Sequence, residues 1–586
     1  MIKLLKNLNK RDIILTLISI FLIIVQVWLE LKMPDYMSKI TQLVETEGSN
    51  MSNILENGFY MLLCAFGSMA SAIIVGYLVS IVGSSFSLRT RKKVFEKVTS
   101  FSMNEVKQFS TNSLITRTTN DVTQVEVLIG MGFQLLIKAP ITAVWAIKKI
   151  LNKNFTWSVL TLIAVVILLT VIATRIILVM PRFKIIQKLI DKINGVTREN
   201  LTGIRVVRAF NAERYQEDKF EDVNKDLTDN LLYNQKRFAL MSPVMYLVMY
   251  FLTLSIYYVG ALLIKDAVMT DKITLFGDMI VFSSYAMQVI MSFLMLAMIF
   301  MILPRASVSA KRINEVLDTE ITIKDGKLDK DKTSLRGNIE FKHVYFKYPD
   351  AEEYLLEDIS FTAKEGETIA FIGSTGSGKS SLINLVPRFY DATEGEVLID
   401  GVNVKDYKSE FLYNKIGYVP QKAVMFDGTV KSNVEYGESL EEKTDEIVKE
   451  AIKVAQAEEF VLKMDDEYDS HIASGGTNVS GGQKQRLAIA RAIAKHPEIY
   501  IFDDSFSALD YKTDSVLRKK LKEYTKKSTS LIVAQRIGTI MNADKILVLD
   551  NGKCVGEGTH KELLKSCDVY KQIALSQLSK EELENA

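Results

Sequence analysis

The sequence predicts a bundle of six transmembrane helices fused to an α/β domain of the P-loop type. Three observations carry this: six apolar runs lie within residues 1–305, a Gly-rich loop stands between an apolar strand and a helix, and composition changes sharply from the first part to the second. With 586 residues, the chain is also too long for a single hydrophobic core, so a division into several units is expected.

A membrane span needs about 20 predominantly apolar residues, because the bilayer core holds no water for backbone groups and a helix satisfies its own. Such runs lie at 13–29, 59–83, 128–147, 157–180, 239–264 and 276–303. The first follows Lys3, Lys6, Lys10 and Arg11, as a secretory signal would, but leads into Glu30-Leu31-Lys32-Met33-Pro34 with no small-residue cleavage site. It is expected to be a retained helix, with Glu30 beyond its end.

Basic residues accumulate on the cytoplasmic side of helix ends. Arg89, Arg91, Lys92 and Lys93 follow the second run, Arg182, Lys184 and Lys188 follow the fourth, and Lys236 and Arg237 precede the fifth. Loops near 41–53, 152–156 and 265–274 fall on the opposite side. A multi-pass protein of the cell membrane is expected, with both termini and the soluble part in the cytoplasm. The two cytoplasmic connections, 87–127 and 181–238, exceed ordinary loop lengths. They are too poor in apolar residues for a core of their own, so the membrane helices are expected to continue through them.

Net charge is +2, from 72 basic against 70 acidic residues, which excludes the electrostatic footprint of a nucleic-acid binder. Cys64, Cys554 and Cys567 have no metal-ligand spacing, and neither a disulfide framework nor an oxidising compartment is expected.

In the soluble part, a β-rich stretch at 338–348 is followed by an apolar strand at 369–372. Next comes Gly373-Ser374-Thr375-Gly376-Ser377-Gly378-Lys379-Ser380, with Ser381 opening a helix. Glycines let backbone N–H groups turn inward around phosphates, so this loop predicts ATP binding. Lys379 is expected on the β- and γ-phosphates and the Ser380 hydroxyl on Mg²⁺. Residues 499–503 form an apolar strand ending in Asp503, the expected second Mg²⁺-side element.

Asn478-Val479-Ser480-Gly481-Gly482-Gln483 then precedes the helical run 487–494. With the phosphate loop and the six spans, this segment resembles the ATP-binding cassette (ABC) transporters in their six-helix exporter arrangement. The resemblance implies that Ser480–Gln483 caps a helix facing the γ-phosphate held by a partner subunit. It implies further that Tyr348 stacks on adenine, that Gln421 is the coupling glutamine near Mg²⁺, and that Asp510 lies in a dimer-contacting turn. Residues 109–121 and 203–212 resemble the two coupling segments that dock on nucleotide-binding domains. The chain then divides into a transmembrane domain 1–305, a linker 306–337, an ABC nucleotide-binding domain 338–575 and a tail 576–586.

Two positions depart from the family. Asp504 stands where Glu usually polarises the attacking water, and Gln535 stands where a switch His is usual. Shortening Glu to Asp withdraws the carboxylate by about one bond, and a displacement near 1 Å costs on the order of a hundredfold in rate. Gln535 offers an amide without a titratable proton, and His343, His471, His496 and His560 do not fill the position. The pattern resembles the degenerate-site subunit of heterodimeric bacterial multidrug exporters: a slow site on this chain's own loop, and an intact Ser480–Gln483 that completes a partner's site. A homodimer stays open.

The partners this implies are a second half-transporter, membrane lipid and an amphipathic drug, lipid or peptide as cargo. An ATP-gated regulator or channel, or a peptide exporter, is the alternative. Met287, Met291, Met295 and Met298, about one turn apart, suit either an adaptable cargo pocket or plain packing. Glu30, Arg175 and Asp278 are candidates for a wet cavity, and Lys148 and Lys149 are expected to snorkel to the outer interface.

Overall fold

The structure, a computed structural model, describes residues 2–46, 48–151, 155–438 and 444–578. Residue 47, most of the loop expected at 152–156, and 579–586 of the expected tail lie outside them. The chain forms two compact units: Met1–Thr99 with Thr111–Thr319, and Ser100–Ser110 with Glu320–Ala586.

The first unit is helical. Its long helices are α1 (Lys10–Glu45), α2 (Met51–Thr99), α3 (Phe133–Leu151), α4 (Phe155–Thr202), α5 (Met241–Asp266) and α6 (Met269–Asp318). Among the described residues, six stretches are long and apolar enough to cross a membrane. One face of each packs inward at helical spacing: Ile23, Val27 and Leu31 of α1 meet Val75 and Val79 of α2 and Phe282, Tyr285, Ala286 and Val289 of α6. The other face leaves large apolar side chains exposed, Phe21, Trp28, Leu62 and Phe66 among them, as a helix facing lipid does.

The helices are longer than their apolar runs. Both α2 and α4 continue as helix to Thr99 and Thr202, and Glu213–Ala239 is helical before α5. Residues 306–318, the first part of the expected linker, are helix as well, since α6 runs unbroken through Pro304 to Asp318. Helix α1 does not end near Leu29: it passes Pro34 and stops at Glu45, so Glu30 lies inside it. Residues 203–212 carry a short helix, Ile204–Ala209, with Val206 61% and Phe210 79% exposed.

The second unit contains strands β1 (Ile339–Phe346), β2 (Leu356–Ala363), β3 (Thr368–Gly373), β4 (Glu394–Ile399), β5 (Val402–Asn403), β6 (Ile416–Val419), β7 (Gly428–Thr429), β8 (His471–Ile472), β9 (Ile499–Asp503), β10 (Thr529–Val533), β11 (Lys545–Asp550) and β12 (Lys553–Gly558). Six make a sheet in the order β12-β11-β3-β10-β9-β6, parallel except for β12. Every residue of β9 and β10 is buried, which is why these strands read as continuous apolar runs rather than alternating ones. Strands β2-β1-β4-β5 form an antiparallel sheet beside it, and β7 pairs with β8. In a sheet of parallel strands, ligands bind outside the carboxyl ends, and those ends gather the predicted residues.

The piece Ser100–Ser110 belongs to this second unit. It carries the helix Met103–Phe109, capped by Ser102 and Glu105 on each other's backbone. Glu105 also accepts from the Thr322 hydroxyl at 2.7 Å and the Thr322 N–H at 3.2 Å. The segment packed with the second unit thus precedes 109–121, the stretch expected to dock; residues 111–121 belong to the first unit. All three cysteines are free thiols.

Candidate nucleotide site

The loop 373–378 leaves β3 at its carboxyl end and enters the helix Lys379–Ile383. Two glycines are required there. A Cβ on Gly373 would lie 1.9 Å from the Leu549 carbonyl oxygen, and Gly378 has φ +92° with the Leu356 side chain 2.6 Å from where a Cβ would be. Lys379 folds over the loop, its Nζ donating to the Gly373 and Ser374 carbonyls at 3.0 and 2.7 Å and to Ser377 Oγ at 3.2 Å. Burial lowers its pKa from the usual lysine value, opposed by the nearby Asp504 and Asp503 carboxylates. An incoming polyphosphate supplies negative charge to an ammonium held on neutral carbonyls, and those bonds are exchangeable for phosphate oxygens.

Asp503 ends β9, 5% exposed, and accepts from Ser380 Oγ at 2.7 Å. Burial raises its pKa above the usual carboxylate value, the Ser380 bond opposing. A buried carboxylate touching a hydroxyl beside a phosphate loop is the oxygen donor set that Mg²⁺ takes, which uses one or two carboxylates and substrate phosphates rather than a full protein cage. No cluster of three or more His, Cys, Asp or Glu that could hold a metal occurs among the described residues.

Asp504, the next residue, has φ +46°, a left-handed conformation that Asp tolerates better than most side chains. Its Oδ2 accepts from Gln535 Nε2 at 2.8 Å and from Gln421 Nε2 at 3.4 Å. Burial raises its pKa, and hydrogen bonds from Gln421, Ser507 and Gln535 act the other way. Gln421 lies two residues beyond β6 and Gln535 two beyond β10, so three neighbouring parallel strands deliver these groups to one place. The two positions that depart from the family are thus bonded to each other. None of the four histidines is there: His343 meets Asp358, His471 meets Asp427, His496 meets Tyr524 and His560 meets Tyr570.

Tyr348 donates or accepts a hydrogen bond with Ser381 Oγ at 2.8 Å. Its ring packs edge-on to Tyr390, with centroids 5.2 Å apart, and Lys107 Nζ lies 5.1 Å over it. The Ser381 and Tyr390 contacts fix the ring beside the loop. Sequence reasoning singled out neither Tyr390 nor Lys107, because nothing in their own surroundings marks them.

Ser480 caps the helix Gly481–Ile493: its Oγ accepts from the Gln483 N–H at 3.3 Å while its own N–H donates to Gln483 Oε1 at 2.8 Å. The start of this helix is exposed, so its free N–H groups and dipole can meet an anion from outside. Ser480–Gln483 shares no hydrogen bond with Lys379, Ser380, Asp503 or Asp504, and is not part of the cluster at the strand ends. Asp510 caps the helix Tyr511–Tyr524, accepting from the Thr513 N–H at 3.0 Å, which lowers its pKa.

In the membrane unit, Glu30 Oε1 accepts from Lys138 Nζ at 2.9 Å, Gln26 Nε2 at 2.9 Å and Ser68 Oγ at 3.2 Å. Lys149 does not simply snorkel. It pairs with Asp35 at 2.5 Å, and Asp35 also accepts from the Tyr285 hydroxyl at 2.6 Å. Lys138 and Asp35 escaped the sequence reading, although a lysine inside an apolar run is itself a signal.

Comparison with known proteins agrees with these features. A family model described as ABC transporter matches residues 356–507 and one described as ABC transporter transmembrane region matches 16–293. An uncharacterized ABC transporter ATP-binding protein of Mycobacterium tuberculosis (strain ATCC 25618 / H37Rv) is 41% identical over 518 residues, covering 88% of this chain and 87% of the relative. An ATP-dependent lipid A-core flippase of Pseudomonas aeruginosa is 33% identical over 464 residues, covering 79% and 75%. A solved structure of a bacterial Atm1-family ABC exporter with ATP bound shares the fold at TM-score 0.82, with 22% identity over 97% of this chain and 100% of that one.

Proposed function

Because the chain belongs to the ABC transporter family, as a half-transporter with its multi-pass membrane region and ATPase domain in one polypeptide, we propose that it drives ATP-dependent efflux of amphipathic compounds across the cell membrane. It works as one half of a dimer, its ATPase domain in the cytoplasm. The partner is a second half-transporter that supplies Glu and His where this chain has Asp504 and Gln535. The bond from Gln535 to Asp504 at 2.8 Å carries this reading. A carboxylate already held by two glutamine amides, and one bond shorter than Glu, is poorly placed to polarise a water on the γ-phosphate. This chain's own loop therefore binds ATP and turns it over slowly.

We assign the roles accordingly. Gly373–Ser381 and Lys379 hold the phosphates and Tyr348 takes the adenine. Ser380, Asp503 and Gln421 hold Mg²⁺, which when bound neutralises charge developing on the phosphates. Ser480–Gln483, whose first two residues are exposed and which lies apart from this cluster, closes over the partner's ATP, and the exposed Val206 and Phe210 give residues 203–212 an apolar surface for docking on a nucleotide-binding domain. Similarity to a protein named as a lipid A-core flippase favours lipid-like molecules within the cargo class.

Replacing Lys379 with Ala should weaken ATP binding to the full chain at least about tenfold, since hydrogen bonds to a charged group contribute roughly 1.5–3 kcal/mol. A nucleotide titration measures it, and unchanged affinity would remove the loop from the site. The function itself is tested by dye accumulation in inverted vesicles holding this chain and its partner. Uptake should require both ATP and Mg²⁺, whereas conductance without turnover would indicate a gated channel.

A further inference from the structure

The short helix Ile537–Ile540 begins just after Gln535, and Arg536 at its start gives it no side-chain cap. The first N–H groups of any helix find no acceptor inside it. Here the acceptor comes from 40 residues downstream: Gln577 Oε1 accepts from the Ile537 N–H at 2.8 Å. The same side chain turns its other end to the switch position, Gln577 Nε2 donating to the Gln535 carbonyl at 2.8 Å. One planar amide thus bridges the peptides on either side of Arg536. Gln577 closes the helix Asp568–Gln577, and that helix is firmly seated. Its Tyr570 and Ala574 are buried in the same core as Ile537 and Ile540, and the Tyr570 hydroxyl meets His560 Nδ1 at 2.6 Å.

Gln535 is therefore held at both ends, by its backbone on Gln577 and by its Nε2 on Asp504 Oδ2 at 2.8 Å. A further tie runs the same way: Arg536 donates to the Ser507 carbonyl at 3.2 Å, and Ser507 Oγ donates to the Asp504 carbonyl at 2.9 Å. We propose that Gln577 is a positioning residue for the nucleotide site, fixing residues 535–537 so that the Gln535 amide stays on Asp504 and the site stays slow. Gln577 shares no hydrogen bond with Lys379, Ser380, Asp503 or Asp504 among the described residues, so it acts through Gln535. Its bonds lie at the surface, where water competes and each contributes modestly. Their effect is directional: with the backbone pinned on both sides of Arg536, the Gln535 side chain keeps one bearing on Asp504. Without the clamp, Gln535 leaves Asp504 part of the time, and the carboxylate is free to meet a water.

This proposal rests on the slow-site reading, and its test separates the two. Phosphate release by the purified full chain in nanodiscs, followed over a range of ATP concentrations, gives kcat and KM. Gln577→Leu, which removes both bonds, should raise kcat about threefold or more. The KM for ATP should stay within about twofold, because the phosphate loop is untouched. In a Gln535→Ala background, where no amide rests on Asp504, the same change should add nothing, and that non-additivity is the mark of action through Gln535. Thermal melting shows whether each variant is folded. Should Gln577→Leu melt early, Gln577→Glu, equal in size and lacking only the donor to the Gln535 carbonyl, carries the same comparison. An unchanged or lowered kcat, or an equal rise in both backgrounds, would overturn the proposal. Fast turnover by the unmodified chain, with the rise and its dependence on Gln535 still present, would remove the slow-site reading and leave the positioning in place.

Discussion

Changing Asp504→Glu together with Gln535→His is expected to raise steady ATP hydrolysis by the chain expressed alone by about a hundredfold. Expressed alone, the chain could pair only with itself, so both composite sites would contain Asp504 and Gln535 and basal turnover should be low. The longer side chain returns a carboxylate to the reach of the attacking water. Removing the Gln535 amide frees that carboxylate from its 2.8 Å bond, and imidazole supplies a group that can hold a proton. Either substitution by itself should give less than the pair, because the two side chains act on each other. Phosphate release from purified protein measures it. Full turnover by the unmodified chain alone would refute the slow-site reading.

The second large effect is a loss. Ser480→Arg should reduce hydrolysis in the wild-type pair to background and stop transport, although Ser480 touches nothing in this chain's own phosphate site. The substitution removes the cap that Ser480 and Gln483 give each other and puts a long cation where a γ-phosphate must approach the helix start. Loss of an N-cap alone costs about 0.5–2 kcal/mol of local stability, too little to unfold a domain, so ATP binding at the Lys379 loop should survive. Trapped-nucleotide measurements distinguish the two sites. If hydrolysis in the pair were unaffected, Ser480 would not act across the interface.

The sequence made the phosphate loop legible because all of its chemistry sits within nine consecutive residues whose geometry is local. Asp503 was legible for a similar reason, as the polar end of a fully buried strand. The bond between Asp504 and Gln535 was not. Both departures could be named, but only the parallel pairing of β9 with β10 brings them together, and such pairing is not written in either stretch. Helix α1 shows the opposite failure. Hydropathy placed its end where charges begin, at Glu30, yet the helix continues because Glu30 and Asp35 are met by Lys138 and Lys149 of α3, more than 100 residues away. The helix Met103–Phe109, which packs with the second unit, was not legible either, because its partner Thr322 lies 217 residues further on.

That helix also sets a timetable for synthesis. Glu105 is made 217 residues before Thr322, the residue whose hydroxyl and N–H it accepts, and at about 5–20 residues per second the wait is roughly 10–40 s. During it, Met103–Phe109 has left the ribosome with no second unit to join, held between two membrane helices already formed. A cut after Thr319 would separate the second unit from the short upstream helix that packs with it. The second unit is therefore discontinuous in the chain, and its upstream piece finds its partners only after the polypeptide has been made past Thr322.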